Sequence, residues 1–232
     1  HFVPQSRVRL FMIGTHENVV GKHDEVIQER QMRSSNARPK KIIDYIVKNQ
    51  DLRWYFHPLP DLPARNISLE DIIDRSAEWW SADRSLYLYK QMHRHQQQLV
   101  KKEKESRKYS YFTAFRRMRV RDGESQSTAE LRTDGIAGCL RTPKGGSAKQ
   151  ILVRVGRGHF DARLLNEKEV ARLMGAEDFR INPKLSSNQV LFGFGDAVGV
   201  PVLEWIGTHY LNPLLPKPSA KVSTIRRAQL VH

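Results

Sequence analysis

Arg7 and Arg9 are, by type and spacing, the residues of this chain best suited to chemistry. They alternate in Arg7-Val8-Arg9-Leu10-Phe11-Met12-Ile13-Gly14, an apolar run ended by glycine that predicts a largely buried β-strand. Residues two apart on a strand share a face, so the two guanidiniums would be held toward one site, as planar donors for an acceptor edge or a phosphate. The alternative is that both pair with surface carboxylates. Other signals fail on geometry. His93 and His95 are two apart on a predicted helix, where they diverge and cannot chelate one metal. Lys144-Gly145-Gly146-Ser147 with Lys149 lacks the spacing of a phosphate-binding loop. Phe192-Gly193-Phe194-Gly195-Asp196 resembles a glycine-rich cofactor loop only superficially: no buried strand precedes it, and no acid follows at roughly 20 residues. No Ser/His/Asp or Cys/His constellation is recognisable, and the lone Cys139 reads as a small apolar filler rather than an activated nucleophile. No metal is expected.

The elements that must position these residues can be traced along the chain. Ile42 to Val47 is apolar on one side, and His57 to Pro63 is a proline-rich connector. Ser68-Leu69-Glu70-Asp71 offers a capping-box-like start, with Ile72, Ile73 and Ala77 at helical spacing behind it. From about Ser85 to Lys108 the pattern predicts one long polar helix, with Leu88, Met92 and Leu99 on a stripe and His95 between them. Its basic end, Lys101 to Lys108, is either a solvated helix face or a DNA contact. Tyr109 to Val120 interleaves aromatics with Arg116, Arg117 and Arg119, a pattern suited to nucleic acid in which the aromatics equally suit a core. Arg141 to Ser147 must be a loop. Gln150 to Val155 reads as a strand, and Asn166 caps a short helix with Glu169 three residues on. Val170, Leu173 and Met174 form that helix's apolar face, and Gly175 suits its C′ position. A last helix starts near Ala197 to Pro201, lined by Val198, Val202, Ile206 and Tyr210, and the tail after Pro213 is proline- and base-rich.

Composition limits the partners. Among 232 residues, 39 Lys and Arg against 25 Asp and Glu give a formal net charge of +14, which favours a polyanion such as nucleic acid. A basic but non-binding surface is the bland alternative. No run approaches the roughly 18 consecutive apolar residues of a membrane helix. No secretory signal opens the chain, and a single cysteine fits a reducing, cytoplasmic setting.

Three segments then fall in a telling order. Gln5-Ser6-Arg7-Val8-Arg9 resembles the Gln-x-Arg-x-Arg signature, motif VIII, of DNA cytosine-5 methyltransferases. Arg163-x-Leu165-x-x-x-Glu169-x-Ala171-Arg172-Leu173-Met174-Gly175 resembles motif IX of the same family. Gly195-Asp196-Ala197-Val198 followed by Val200-Pro201-Val202 resembles motif X. The long insert between the first and second lies where the family places its target-recognition region. Within it, Asp134-Gly135-Ile136-Ala137-Gly138-Cys139-Leu140-Arg141-Thr142 and Gly145-Gly146 look like the recognition core. Cys139 stands where the family usually has Thr, and Asp196 where it has Asn.

The resemblance implies transfer of methyl from S-adenosylmethionine to cytosine C5 in duplex DNA. In that reading Arg9, supported by Arg7, contacts the flipped cytosine and the catalytic glutamate. Gln5, Arg141, Thr142, Lys144, Gly145, Gly146 and Ser147 face DNA, and Asp196, Ala197 and Val198 touch the cofactor. Arg163, Glu169 and Arg172 are structural, with Glu169 and Arg172 suited to an i,i+3 pair or to buttressing the recognition loops. The family's glycine-rich cofactor loop, Pro-Cys nucleophile and Glu-Asn-Val segment are absent. The chain, which begins at His1, is therefore read as a fragment or as one polypeptide of a split enzyme, inactive without an N-terminal catalytic half. The expected fold is α/β: a strand at 1–14 and a closing helix at 186–232 on the edge of a Rossmann-like methyltransferase domain, with a smaller mixed target-recognition domain at 15–185. The rival readings are a non-catalytic DNA-binding specificity subunit and a scaffold whose charge is incidental.

Overall fold

The computed structural model describes residues 1–16, 18, 34–52, 54–55, 58–121, 123–142 and 149–215. They form two compact units, one of His1–Leu10 with Pro63–Leu203, the other of Phe11–Leu62 with Glu204–His232. This division follows packing, so its boundaries differ from the motif-based ones at 14 and 185. The tail beyond 215 lies outside the described residues.

The first unit is built on one antiparallel sheet in the order β2-β1-β3-β4, comprising β1 (Ser110–Arg121), β2 (Glu124–Arg132), β3 (Ile151–Gly156) and β4 (His159–Leu164). Side-chain alternation sends Phe112, Ala114, Ile151, Val153, Val155, Ala162 and Leu164 to one core. Tyr111 and Leu152, on the opposite face, join a second core. β3 is buried on both faces, which explains its nearly unbroken apolar sequence. The fold is thus mixed helix and antiparallel sheet, and no parallel Rossmann-type sheet occurs among the described residues.

The strand expected at Arg7–Gly14 is absent. This segment has no ladder, and Val8 and Met12 are 91% and 86% exposed. A strand is held by a neighbouring strand and a packed face, and these residues have neither. One bridge pairs Gln5 with Ala137.

The single helix expected over Ser85–Lys108 is two. After α1 (Lys40–Lys48) in the second unit come α2 (Ala82–Lys90) and α3 (Arg94–Lys104) in the first. The break lets the carbonyl of Gln91 accept from Ala129 N (3.0 Å), adding Met92 to the edge of β2. Gln97 then donates to the carbonyls of Tyr89 and Met92 (3.1 Å each), satisfying acceptors the break exposes. His93 lies outside the helix as the N-cap of α3, so the divergence expected of His93 and His95 fails: their Nδ1 atoms lie 2.6 Å apart. Even so, no group of three or more His, Cys, Asp or Glu among the described residues could hold a metal.

The start at Ser68 is found, with Asp71 accepting from the Ser68 amide and hydroxyl (2.7 Å each), but only a 3-10 turn, Glu70–Ile72, follows. The chain extends at Ile73 so that Asp74 N reaches Glu169 (2.9 Å), a long-range demand that overrides helical spacing. The helix α4 (Glu167–Leu173) matches its expectation closely: Asn166 and Glu169 form a reciprocal capping box, and Gly175 has φ +65°. α5 (Ser187–Asp196) and α6 (Val200–Ile206) follow, so the glycine-rich Phe192–Asp196 stretch is helical, and the last α-helix starts at Val200, within the expected Ala197–Pro201 region and with Pro201 in its first turn. By length and composition alone, the helical run Ser187–Leu214 could span a membrane. However, it breaks at Ala197 (ψ 164°), and Val190 and Phe194 are buried in the core of the first unit.

Glu169 pairs with Arg163 rather than Arg172. Both guanidinium nitrogens of Arg163 lie 2.6 Å from its carboxylate, and the two side chains are 3% and 0% exposed. Arg163 is on β4, whose alternation points it to the face where α4 packs. Arg172 instead donates to the carbonyl of Ile72 (3.1 Å) and approaches Glu177 (3.5 Å).

Removing one partner of such a pair leaves the other charge buried and uncompensated. Glu169→Ala is expected to cost about 3–5 kcal/mol in urea denaturation, and the double variant with Arg163→Met less than that single change. Asp74 gives a separate pH signature. The Ser76 hydroxyl and amide, with Asn166, hold its carboxyl down to about 2. A carboxyl lowered on folding stabilises above its unfolded value near 4, and that contribution disappears as pH falls toward about 2. Acid titration of Asp74→Asn should lack this part of the stability loss.

Candidate nucleic-acid interface

The 136–142 loop runs between β2 and β3, and six hydrogen bonds hold it. Gln5 Oε1 accepts from Leu140 N (3.2 Å), and Ser6 N and Ala137 N exchange backbone bonds with Ala137 and Pro4 (2.8 Å each). Gln150 accepts from Gly138 N (3.0 Å), and Thr113 donates to the Ile136 carbonyl (3.0 Å). Arg7 donates to the Leu140 carbonyl (2.7 Å).

Arg7 also joins the loop to α5. Its second terminal nitrogen donates to the carbonyls of Gly195 (2.9 Å) and Ala197, acceptors left open at the helix C-terminus. At Gly195 the backbone of Arg141 and Thr142 lies against the helix, and a Cβ there would sit 2.5 Å from Thr142 N and 2.6 Å from the Arg141 carbonyl carbon. Only glycine permits that approach. Partial burial, then the neighbouring Arg9, lower the Arg7 pKa, while Cys139 and Asp196 act the other way.

Arg9 is placed differently. It is exposed, and its described partners are the carbonyl of Val8 (2.8 Å) and Cys139 Sγ (3.8 Å). The Arg7 guanidinium reaches the same sulfur at 3.9 Å, so the two arginines converge although no strand holds them. Cys139 Sγ itself bonds to the carbonyl of Leu140 (3.3 Å).

Of the residues expected to face DNA, Arg141 is exposed and Thr142 half-buried at the loop's edge. Lys144, Gly145, Gly146 and Ser147 lie outside the described residues. Gln5 has a different placement from the one expected: it is buried, and its amide donates to the Leu173 carbonyl (2.9 Å) and Met174 Sδ (3.5 Å) while accepting from Leu140. Those bonds leave it facing protein. The arginines of β1 are also engaged internally, Arg119 and Arg117 with Glu130 (2.7 and 3.6 Å) and Arg116 with Gln91 (2.9 Å).

Sequence reasoning missed Gln150, whose carbonyl oxygen sits against Gly138, and the close approach at Gly195. The signal for the second was there, a glycine inside a helix next to an acid. It missed Trp79 too, which stacks against both Arg154 (4.6 Å) and Arg163 (5.0 Å).

The 136–142 loop, the arginine pair and the α5 terminus therefore meet at one place. A family model, C-5 cytosine-specific DNA methylase, matches residues 2–212. The chain belongs to that family. A search of curated proteins returned no match. Methylases of this family act on DNA and use S-adenosylmethionine as methyl donor.

Asp196 ends α5 with its carboxylate exposed, and Val198 is 37% exposed beside it in the extended step before α6. An acceptor next to an apolar surface suits an ammonium or ribose hydroxyl beside a thioether-like chain.

Gly195→Ala is expected to push the 141–142 backbone away from α5. DNA affinity of the methylase chain should fall at least several-fold while far-UV circular dichroism stays near parental. Unchanged affinity would mean that the close approach does not shape the interface.

Proposed function

We propose that this chain is the target-recognising, C-terminal portion of a DNA cytosine-5 methyltransferase, acting with an N-terminal catalytic half on the same or a separate polypeptide. The observation that carries the reading is the division of labour between two arginines two residues apart. Arg7 is held by three carbonyls of the recognition loop and α5, whereas Arg9 reaches solvent from the same fixed point.

A cytosine inside a duplex cannot be attacked, so it is flipped into a pocket. Arg9, anchored through Arg7 to the loop, meets the extruded base and the catalytic carboxylate there with planar, permanently charged donors. Arg141 and Thr142, with Lys144, Gly145, Gly146 and Ser147, contact the DNA around the flipped base. S-adenosylmethionine, when bound, supplies the methyl group, and Asp196, Ala197 and Val198 form one side of its site. Arg163, Glu169 and Arg172 position these parts without touching DNA. The exposed apolar side chains of Val8, Leu10 and Met12 support docking of this segment as an edge strand on a Rossmann-like sheet of the catalytic half.

Two outcomes test this. The chain alone should transfer no methyl group to duplex DNA, measured with radiolabelled donor. In the reconstituted enzyme, Arg9→Ala should lower turnover on saturating DNA by on the order of 10²-fold while DNA affinity changes by about threefold or less. Arg141→Ala should do the reverse. Normal turnover by Arg9→Ala, with a parental melting curve, would sink the assignment.

A further inference from the structure

A second concentration of positive charge lies at the opposite end of the sheet from the 136–142 loop. β3 begins beside Gln150, which holds that loop, and ends at Gly156; six residues of strand set the two ends about 20 Å apart. There the β3–β4 turn is bonded to the end of α3. Arg157 N donates to the carbonyl of Ser106 (2.8 Å), Gly158 N to that of Lys104 (2.8 Å), and Arg157 Nε to that of Arg107 (3.1 Å). Between turn and helix runs an open groove of about 790 Å³, lined by Lys101, Lys104, Arg107 and Arg157, with Glu105 its one acidic side chain.

Two features separate this groove from an ordinary solvated surface. The first is pairing. Arg119, Arg154 and Arg163 are each matched to a carboxylate, but among the described residues no ion pair involves Lys101, Lys104, Arg107 or Arg157. The second is Arg157 itself. Lysines in the last turn of α3 are accounted for by the helix dipole, but Arg157 is on another element. It has φ +51°, the only positive value at a non-glycine among the described residues, between two glycines. That conformation is strained for an arginine and nearly free of strain for a glycine. The Tyr109 ring, 5.0 Å from its Cζ, steadies the side chain over the groove.

We propose that this groove binds backbone phosphates of duplex DNA flanking the target, as a second, sequence-independent contact about six base pairs from the recognition loop. The proposal rests on the reading of this chain as the DNA-recognising part of a methylase. Four cations with no ion pair among the described residues, gathered in one open groove about 20 Å from the recognition loop, suit a linear polyanion that runs past both better than a small anion.

The test uses the full chain, a duplex of about 30 base pairs and one of about 8 centred on the target, which ends about four base pairs out and so stops short of the groove. The triple variant Lys101→Gln, Lys104→Gln, Arg157→Gly should bind the long duplex about tenfold or more weakly, with a salt slope shallower by two to three, and the short duplex within about twofold of parental. Arg141→Ala should weaken both. Parental affinity and slope of the triple variant on the long duplex, with Arg141→Ala still weakened, would overturn the groove proposal and leave the methylase reading intact. Failure of the parental chain to bind either duplex at low salt would overturn the methylase reading itself. Arg157→Gly alone should melt no lower than the parent. A lower melting temperature with unchanged DNA affinity would make Arg157 a structural residue and refute its place in the groove.

Discussion

Glu169 carries a full negative charge with no exposed surface, which is tolerable only because four donors meet its two oxygens. Desolvating a carboxylate costs several kcal/mol, and the charge-assisted bonds from Arg163 with the amides of Asp74 and Asn166 offset it. The four come from three places: β4, the 70s turn, and the N-cap of α4. The pair therefore fixes the angle at which α4 leaves the sheet and the path of the segment that enters it.

What α4 holds in turn is the loop. Its last carbonyl, Leu173, accepts from Gln5, whose other end holds Leu140. Gly175, just past the helix, is packed against Pro201 at the start of α6, and Met174 accepts from Val200 N (2.9 Å). Arg7 closes the circuit by bonding Leu140 to the end of α5. The segments that carry the three motifs thus form three sides of one frame around the 136–142 loop.

The local parts of this frame were legible in the sequence. A capping box with glycine at C′ is written in consecutive residues, and α4 formed as Asn166, Glu169 and Gly175 require. The strand β3 was readable as an apolar run. What could not be read depended on distant partners. The break between α2 and α3 answers a backbone group on Ala129, and the halt after Ile72 answers Glu169. Arg7 and Arg9 look equivalent in sequence, and only the carbonyls of Leu140, Gly195 and Ala197 distinguish them. Gln5, polar and beside two arginines, gave no sign that it would be buried. The segment after Arg7 reads as a buried strand because its composition suits a sheet that these residues do not themselves supply.

The bond from Gln5 to Leu173 spans 168 positions, and the first ten residues complete a unit otherwise made from residue 63 onward. On a ribosome that has consequences of its own. At about 5–20 residues per second, Gln5 and Arg7 wait roughly 8–34 s for the carbonyls they are built to meet. Through that interval these residues lack the partners that hold them in the folded unit and stay open to chaperones and proteases. The sheet and α4 can form from contiguous sequence during synthesis, but the frame closes only once Ala197 has been made, so a product stalled before it would hold a folded sheet beside an unheld recognition loop.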